Sequence, residues 1–136
     1  KKRLPIKAAV AVAPLTNLVD AVRFRPELKP LYKEMFGGSL EELKKRSVQY
    51  WVNALPKRVP ILLVQGTGDW RINAHETIKL AYKFLDAKIP YRLTMYEGAD
   101  HGIREFRSEM IQSAINWFDR FVKRREPLPN LKPHGD

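Results

Sequence analysis

Two nearly unbroken apolar runs constrain this chain more than any other feature. One extends from Ile6 to Ala13 and is stopped by Pro14; the other extends from Val59 to Gln65 and ends at Gly66. A strand with one solvated face alternates apolar and polar residues, whereas a strand covered on both faces reads as a continuous apolar run. The chain is therefore expected to form a parallel sheet with helices on both sides. A third run, Tyr91 to Tyr96, ends at Glu97-Gly98 and alternates, which places it nearer a sheet edge.

Between the second and third runs, Asn73 followed by Glu76 has the form of a capping box with Asn as the cap. Ile78, Ala81, Tyr82 and Leu85 then repeat at helical spacing and predict one apolar face, with Pro90 closing the helix. Strand, helix and strand in that order make a βαβ crossover. Beyond the third run, Ile111, Ala114, Ile115, Phe118, Phe121 and Val122 predict a long amphipathic helix over 104–123. Lys123-Arg124-Arg125 suit its C-terminal end, where cations meet the negative pole of the helix dipole.

The stretch from Thr16 to Pro56 is broken by Pro26, Pro30 and Gly37-Gly38, and reads as an excursion of short helices over the sheet. Leu28, Leu31, Met35 and Phe36 suggest one of them, and Ser39 with Glu42 forms a second capping box opening another. Tyr50 and Trp51 read as core or insertion contacts. No internal repeat is present. The folded part spans 1–125, and Pro127, Pro129 and Pro133 make 126–136 an extended tail.

Composition removes several classes. The chain has 136 residues, 44% hydrophobic and 29% charged, which is enough apolar material for a core and unlike a disordered segment. With no cysteine there is no disulfide, no thiolate nucleophile and no Cys-ligated zinc. The apolar runs fall far short of the roughly 20 residues that span a bilayer, so no membrane partner is expected. Lys1-Lys2-Arg3 precedes too short an apolar run for a signal peptide, and the cytoplasm is the favoured compartment. A net charge of +10 raises nucleic acid as a partner, but the basic residues sit in scattered groups without interleaved aromatics. They read instead as solvated surface, and nucleic acid is not expected.

In open α/β sheets the working site lies beyond the carboxyl ends of the strands. Here one strand end is followed by Gly66-Thr67-Gly68-Asp69-Trp70-Arg71, and the next by Glu97-Gly98-Ala99-Asp100-His101-Gly102. A carboxylate that accepts from imidazole Nδ1–H fixes the tautomer and leaves Nε2 free to take a proton from a nucleophile. Asp69 and His101 are thus candidates for two thirds of a catalytic triad. A metal site from Asp69, His75, Asp100 and His101 lacks paired-histidine spacing on one element, and neither metal nor cofactor is expected. His75 and His134 are expected to face solvent. Trp70 and Arg71 could contact substrate, although Trp70 also reads as wall packing.

The phrases PILLVQGTGDWRI and YEGADHGI, with the helix over 104–123, resemble the C-terminal end of an α/β-hydrolase, most closely the prolyl oligopeptidase family of serine peptidases. Ala8 to Asn17 resembles the strand after that family's nucleophile helix, and Arg46-Ser47 its short insertion. The resemblance implies a partial α/β-hydrolase fold of three parallel strands with flanking helices, the C-terminal part of a catalytic domain. It implies Asp69 as triad acid and His101 as triad base, in the order Ser, Asp, His of this fold. The departure is the nucleophile: Ser39, Ser47, Ser108 and Ser113 are the only serines, and none lies in a G-x-S-x-G turn. Gln65 stands where many relatives carry histidine, and is expected to be a local variation without mechanistic weight.

The resulting expectation is a catalytic fragment of a serine hydrolase that would cleave peptide bonds through an acyl-enzyme, inactive without the missing N-terminal half of its domain. A carboxylesterase-type acyl hydrolase and a non-catalytic hydrolase-like interaction module are the alternatives. Peptides or small acyl compounds are the substrates these readings imply. Lys1 to Pro5 reads as the end of a helix launched by the nucleophile turn, which is expected roughly 10 to 20 residues before Lys1.

Overall fold

The computed structural model describes residues 5–135. The reading of Lys1 to Pro5 as a helix end rests on Lys1 to Leu4, which lie outside the described residues. Strands β1 (Ala9–Val12), β2 (Ile61–Gly66) and β3 (Tyr91–Tyr96) form one sheet in the order β1-β2-β3, with both pairings parallel. Ala9 pairs with Ile61 and Ile61 with Tyr91, so the three strands start level; β2 and β3 also end level, at Gly66 and Tyr96, while β1 stops at Val12, opposite Val64. All three expected strands are present, the first two shorter than their apolar runs. The third lies at a sheet edge among the described residues, as its alternation predicts.

The two-residue period of β2 divides the core. Leu63 packs with Leu80, Ala81, Phe84 and Ile89 on the side of helix α4 (Ala74–Asp86). Leu62 and Val64 point the other way, to Tyr96, Ala99, Ile103, Trp117 and Phe121, on the side of helix α5 (Arg107–Phe118). β2 is thus covered on both faces, which is why its sequence carries no polar alternation.

Between β1 and β2 the chain makes helices α1 (Leu18–Phe24), α2 (Lys29–Phe36) and α3 (Leu40–Lys45), with short 3₁₀ turns at Pro26–Leu28, Val48–Tyr50 and Val52–Ala54. α1 was not anticipated from sequence. Its first amides are satisfied by two side chains: Asn17 Oδ1 accepts from Val19 and Asp20, and buried Ser47 Oγ accepts from Leu18 at 2.8 Å. Ser39 caps α3 by accepting from the Glu42 amide, while the Glu42 carboxylate turns to Lys45 and Arg46 instead of completing the box. Tyr50 and Trp51 are partly exposed rather than core; Tyr50 lies beneath the ammonium groups of Lys44 and Lys83.

Both helix faces expected from sequence need correction. On α4, Ala81 is buried, but Ile78, Tyr82 and Leu85 face outward, Tyr82 being 65% exposed. The buried face is Glu76, Thr77, Leu80, Ala81 and Phe84. Two of those are polar and are admitted because each has a partner: Thr77 bonds Gln65, and Glu76 bonds Gln49 and Lys79. Asn73 does cap α4, accepting from the His75 amide, but Glu76 does not reach back to close a capping box. On α5 and the turn that continues it, Trp117 and Phe121 are buried while Ile111, Ile115, Phe118 and Val122 are exposed.

Helix ends also differ from expectation. α4 stops at Asp86, before Pro90, because Lys88 takes a left-handed conformation and the Ile89 amide returns to the Phe84 carbonyl. α5 starts at Arg107 and widens after Phe118 into a π turn over Asp119–Lys123, where the Arg124 amide donates to the Asp119 carbonyl. No helix or strand occurs over 125–135.

Candidate active site

The loops leaving β2 and β3 lie against each other at the carboxyl edge of the sheet. The Thr67 amide donates to the Tyr96 carbonyl at 2.9 Å, the Gly68 amide to Ala99 at 3.0 Å, and the Gly98 amide to Thr67 Oγ1 at 2.7 Å. Such closeness needs glycine at two positions. A Cβ on Gly66 would stand 2.3 Å from the Ala99 carbonyl oxygen, and one on Gly68 2.5 Å from that of Gly98. Both are backbone atoms that cannot yield cheaply.

The two interlocked loops bring Asp69 and His101 together. His101 Nδ1 lies 2.9 Å from Asp69 Oδ2. The carboxylate is wholly buried, whereas the imidazole is about one third exposed, at 35%. Asp69 Oδ1 accepts from the Arg71 amide at 2.8 Å and the Ile72 amide at 3.0 Å; Oδ2 accepts from Gln65 Nε2 at 2.9 Å in addition to the His101 contact. Burial pushes this carboxyl up. The Ile72 amide, the His101 ring, the Arg71 amide and the Gln65 side chain together outweigh that effect and hold it below the ordinary aspartate range. Asp69 therefore stays ionised beside the imidazole. With Nδ1 engaged, Nε2 is the nitrogen left to exchange a proton with a reactant.

The remaining candidate residues do not join this pair. His75 is exposed with its ring against Asn73 Oδ1, and His134 is exposed in the tail, as expected. The Asp100 carboxylate is engaged by the Gly102 amide and Arg104. Among the described residues no group of three or more His, Asp or Glu is placed to hold a metal ion. Ser39 and Ser47 are committed to helix caps; the Ser47 hydroxyl also donates to the Leu43 carbonyl. Trp70 does not pack into a wall. It is 60% exposed, with the guanidinium groups of Arg25 and Arg71 at 4.8 and 5.1 Å from its ring centre.

Gln65 was assigned no weight from sequence, yet it is fully buried and touches the acid directly. The signal that could have found it is a lone amide side chain at the end of an otherwise apolar strand, four residues before Asp69. A polar group buried there requires a partner.

The chain resembles solved peptidases over most of its length. Against a puromycin-hydrolysing peptidase of Mycobacterium tuberculosis it has 19% identity and a TM-score of 0.71, covering 85% of this chain and 18% of that one. Against the acylaminoacyl peptidase of Pyrococcus horikoshii the values are 18% and 0.76, covering 92% and 21%. An acylaminoacyl peptidase in complex with Z-Gly-Gly-Phe-chloromethyl ketone gives 18% and 0.77, with the same coverages of 92% and 21%. At these identities the likeness is one of fold, and it assigns the three strands and their helices to part of an α/β-hydrolase domain. The chain spans about a fifth of the length of each. No curated protein matches the sequence significantly. The sequence profile of the prolyl oligopeptidase family matches residues 5–125, and the chain belongs to that family.

Proposed function

We propose that this chain supplies the acid and base of a serine peptidase, as the C-terminal part, over 1–125, of its catalytic domain. The observation that carries the reading is the 2.9 Å contact between the buried Asp69 carboxylate and Nδ1 of the partly exposed His101 ring, held at the carboxyl edge of a parallel sheet. Family membership supports peptide bonds as the substrate class.

In this mechanism a serine on another segment of the domain attacks the scissile carbonyl. His101 Nε2 takes the serine proton as general base and returns it to the leaving amine as general acid. Water then attacks the acyl-enzyme, gives its proton to His101, and the carboxylic acid leaves as serine is reprotonated. Asp69 keeps the ring in the tautomer with Nδ1–H and stabilises the imidazolium. It remains a carboxylate throughout, which its four donors favour. The serine and oxyanion donors would come from the N-terminal half of the domain. The exposed apolar stripe Ile111, Ile115 and Phe118 on α5, continued by Val122 in the π turn, supports such a companion segment. Nucleic acid has no place in this reading, and several of the basic side chains are paired locally, as Arg23 is with Asp20 and Arg120 with Glu126.

Labelling of the complete protein by a serine-directed fluorophosphonate tests the proposal. Stoichiometric labelling together with peptide hydrolysis is the expected result. A correctly folded complete protein that neither labels nor turns over peptides would instead be a non-catalytic module. The chain over 1–136 by itself should hydrolyse p-nitrophenyl acetate no faster than equimolar imidazole, because it lacks the covalent route.

A further inference from the structure

Gln65 ends a polar relay that begins on α4 and reaches the acid. Its side chain is fully buried on β2, the central strand. Nε2 donates to Asp69 Oδ2 at 2.9 Å and to the Gly66 carbonyl at 3.1 Å, while Oε1 accepts from the Thr77 hydroxyl at 2.8 Å. The amide can be oriented in one way only. Turned over, Oε1 would face a carboxylate and a carbonyl, both acceptors, with no donor between them. Thr77, itself fully buried, is free to donate to Oε1 in the orientation seen.

We infer that Gln65 is a positioning residue for the Asp69 and His101 pair, its amide oriented by Thr77 so that Asp69 Oδ2 is held facing the imidazole. The inference rests on the proposed reading of that pair as acid and base. Asp69 Oδ1 is pinned by two backbone amides, which fixes one oxygen of the carboxylate. Oδ2 has no backbone donor among its contacts. It is shared by two side chains, and of these only Gln65 sits on a strand rather than a loop. A rigid donor on Oδ2 completes the plane of the carboxylate and leaves its remaining lone pair for Nδ1–H. Packing alone does not call for this polar pair, since an unbranched apolar side chain at 65 together with a valine at 77 would fill the same space and leave neither buried polar group to satisfy.

Gln65→Met and Thr77→Val in the complete protein test this. Both keep side-chain volume, and Thr77 lies on α4, away from the reacting atoms. Two readouts separate positioning from a merely structural role: the split between kcat and KM, and the downfield proton resonance of His101 Nδ1–H in the complete protein. In Gln65→Met, kcat should fall about ten- to hundredfold with KM within about twofold, the scale of losing one hydrogen bond to a charged group. The Nδ1–H resonance should shift or broaden. Thr77→Val should move both in the same direction by a smaller amount, and it decides the question if Gln65→Met does not fold. Wild-type kcat and an unmoved resonance in the folded variants would overturn the inference. If the wild-type protein proves to have no hydrolase activity, the functional reading fails separately, and the resonance alone decides whether Gln65 holds the pair.

Discussion

Asp69 and His101 owe their relation to opposite treatments of two titratable groups. The acid is buried and surrounded by four donors, while the imidazole is left partly open. Burial by itself pushes the acid toward its neutral form, and a neutral acid could not stabilise an imidazolium; the four donors reverse that push. In the complete protein His101→Ala should abolish most turnover. Asp69→Asn should preserve the fold yet lower kcat by up to ~10⁴-fold, because an amide in that place favours the wrong tautomer. Near-normal peptide hydrolysis by either variant would remove its residue from the mechanism. The same carboxylate makes stability depend on pH with a definite sign. Its folded value lies below the ordinary aspartate value of about 3.9, so its ionised form stabilises the fold above about pH 4. That contribution is lost as the pH falls through the folded value, and denaturation at stepped pH should show the difference between wild type and Asp69→Asn shrinking toward low pH.

At the scale of elements, the insertion is tied to α4 by a buried polar cluster rather than by apolar packing alone. Gln49 Nε2 lies 2.9 Å from Thr16 Oγ1, from the Glu76 carbonyl and from Glu76 Oε2; the other Glu76 oxygen pairs with Lys79, which also approaches Asp20 on α1. One side chain thus joins the loop after β1, the 3₁₀ turn Val48–Tyr50 and the first turn of α4. Gln49→Leu would strip donors from a buried carboxylate and a buried carbonyl. A loss of about 1–3 kcal/mol is expected, measured by chemical denaturation of the complete protein. An unchanged midpoint would mean that this cluster does not hold the insertion in place.

For the whole molecule, β1 lies at one edge of the sheet among the described residues, and Val12 on it is 40% exposed. α4 and α5 each carry an apolar stripe on the side away from the core: Ile78, Tyr82 and Leu85 on one, Ile111, Ile115 and Phe118 on the other, continued by Val122 in the π turn. An unpaired strand edge recruits strands, and exposed apolar stripes recruit surfaces. The isolated chain over 1–136 should therefore self-associate or bind the N-terminal half of its domain added in trans. Light scattering at increasing concentration checks the first outcome and co-elution the second. A monodisperse monomer that ignores the added half would contradict the proposed domain layout.

Features written in short stretches of chain were determined by the sequence itself. Continuous apolar runs marked β1 and β2, alternation marked β3, and turn residues placed Asp69 and His101 on adjacent strand ends of one sheet edge. Each of these depends on backbone period or local turn chemistry, so a few neighbouring residues suffice to state it. What only the tertiary structure decided depends on the surface opposite. α4 and α5 are apolar on more than one side, and the side that is buried was chosen by what the sheet presents to it. Thr77 and Glu76 were drawn inward past larger apolar side chains because Gln65 and Gln49 waited there as partners. The start of α1 likewise took its donor-accepting oxygen from Ser47, far along the chain. Gln65 was silent in sequence for the same reason: an amide gains its meaning from the two groups it touches, and both are placed by the fold.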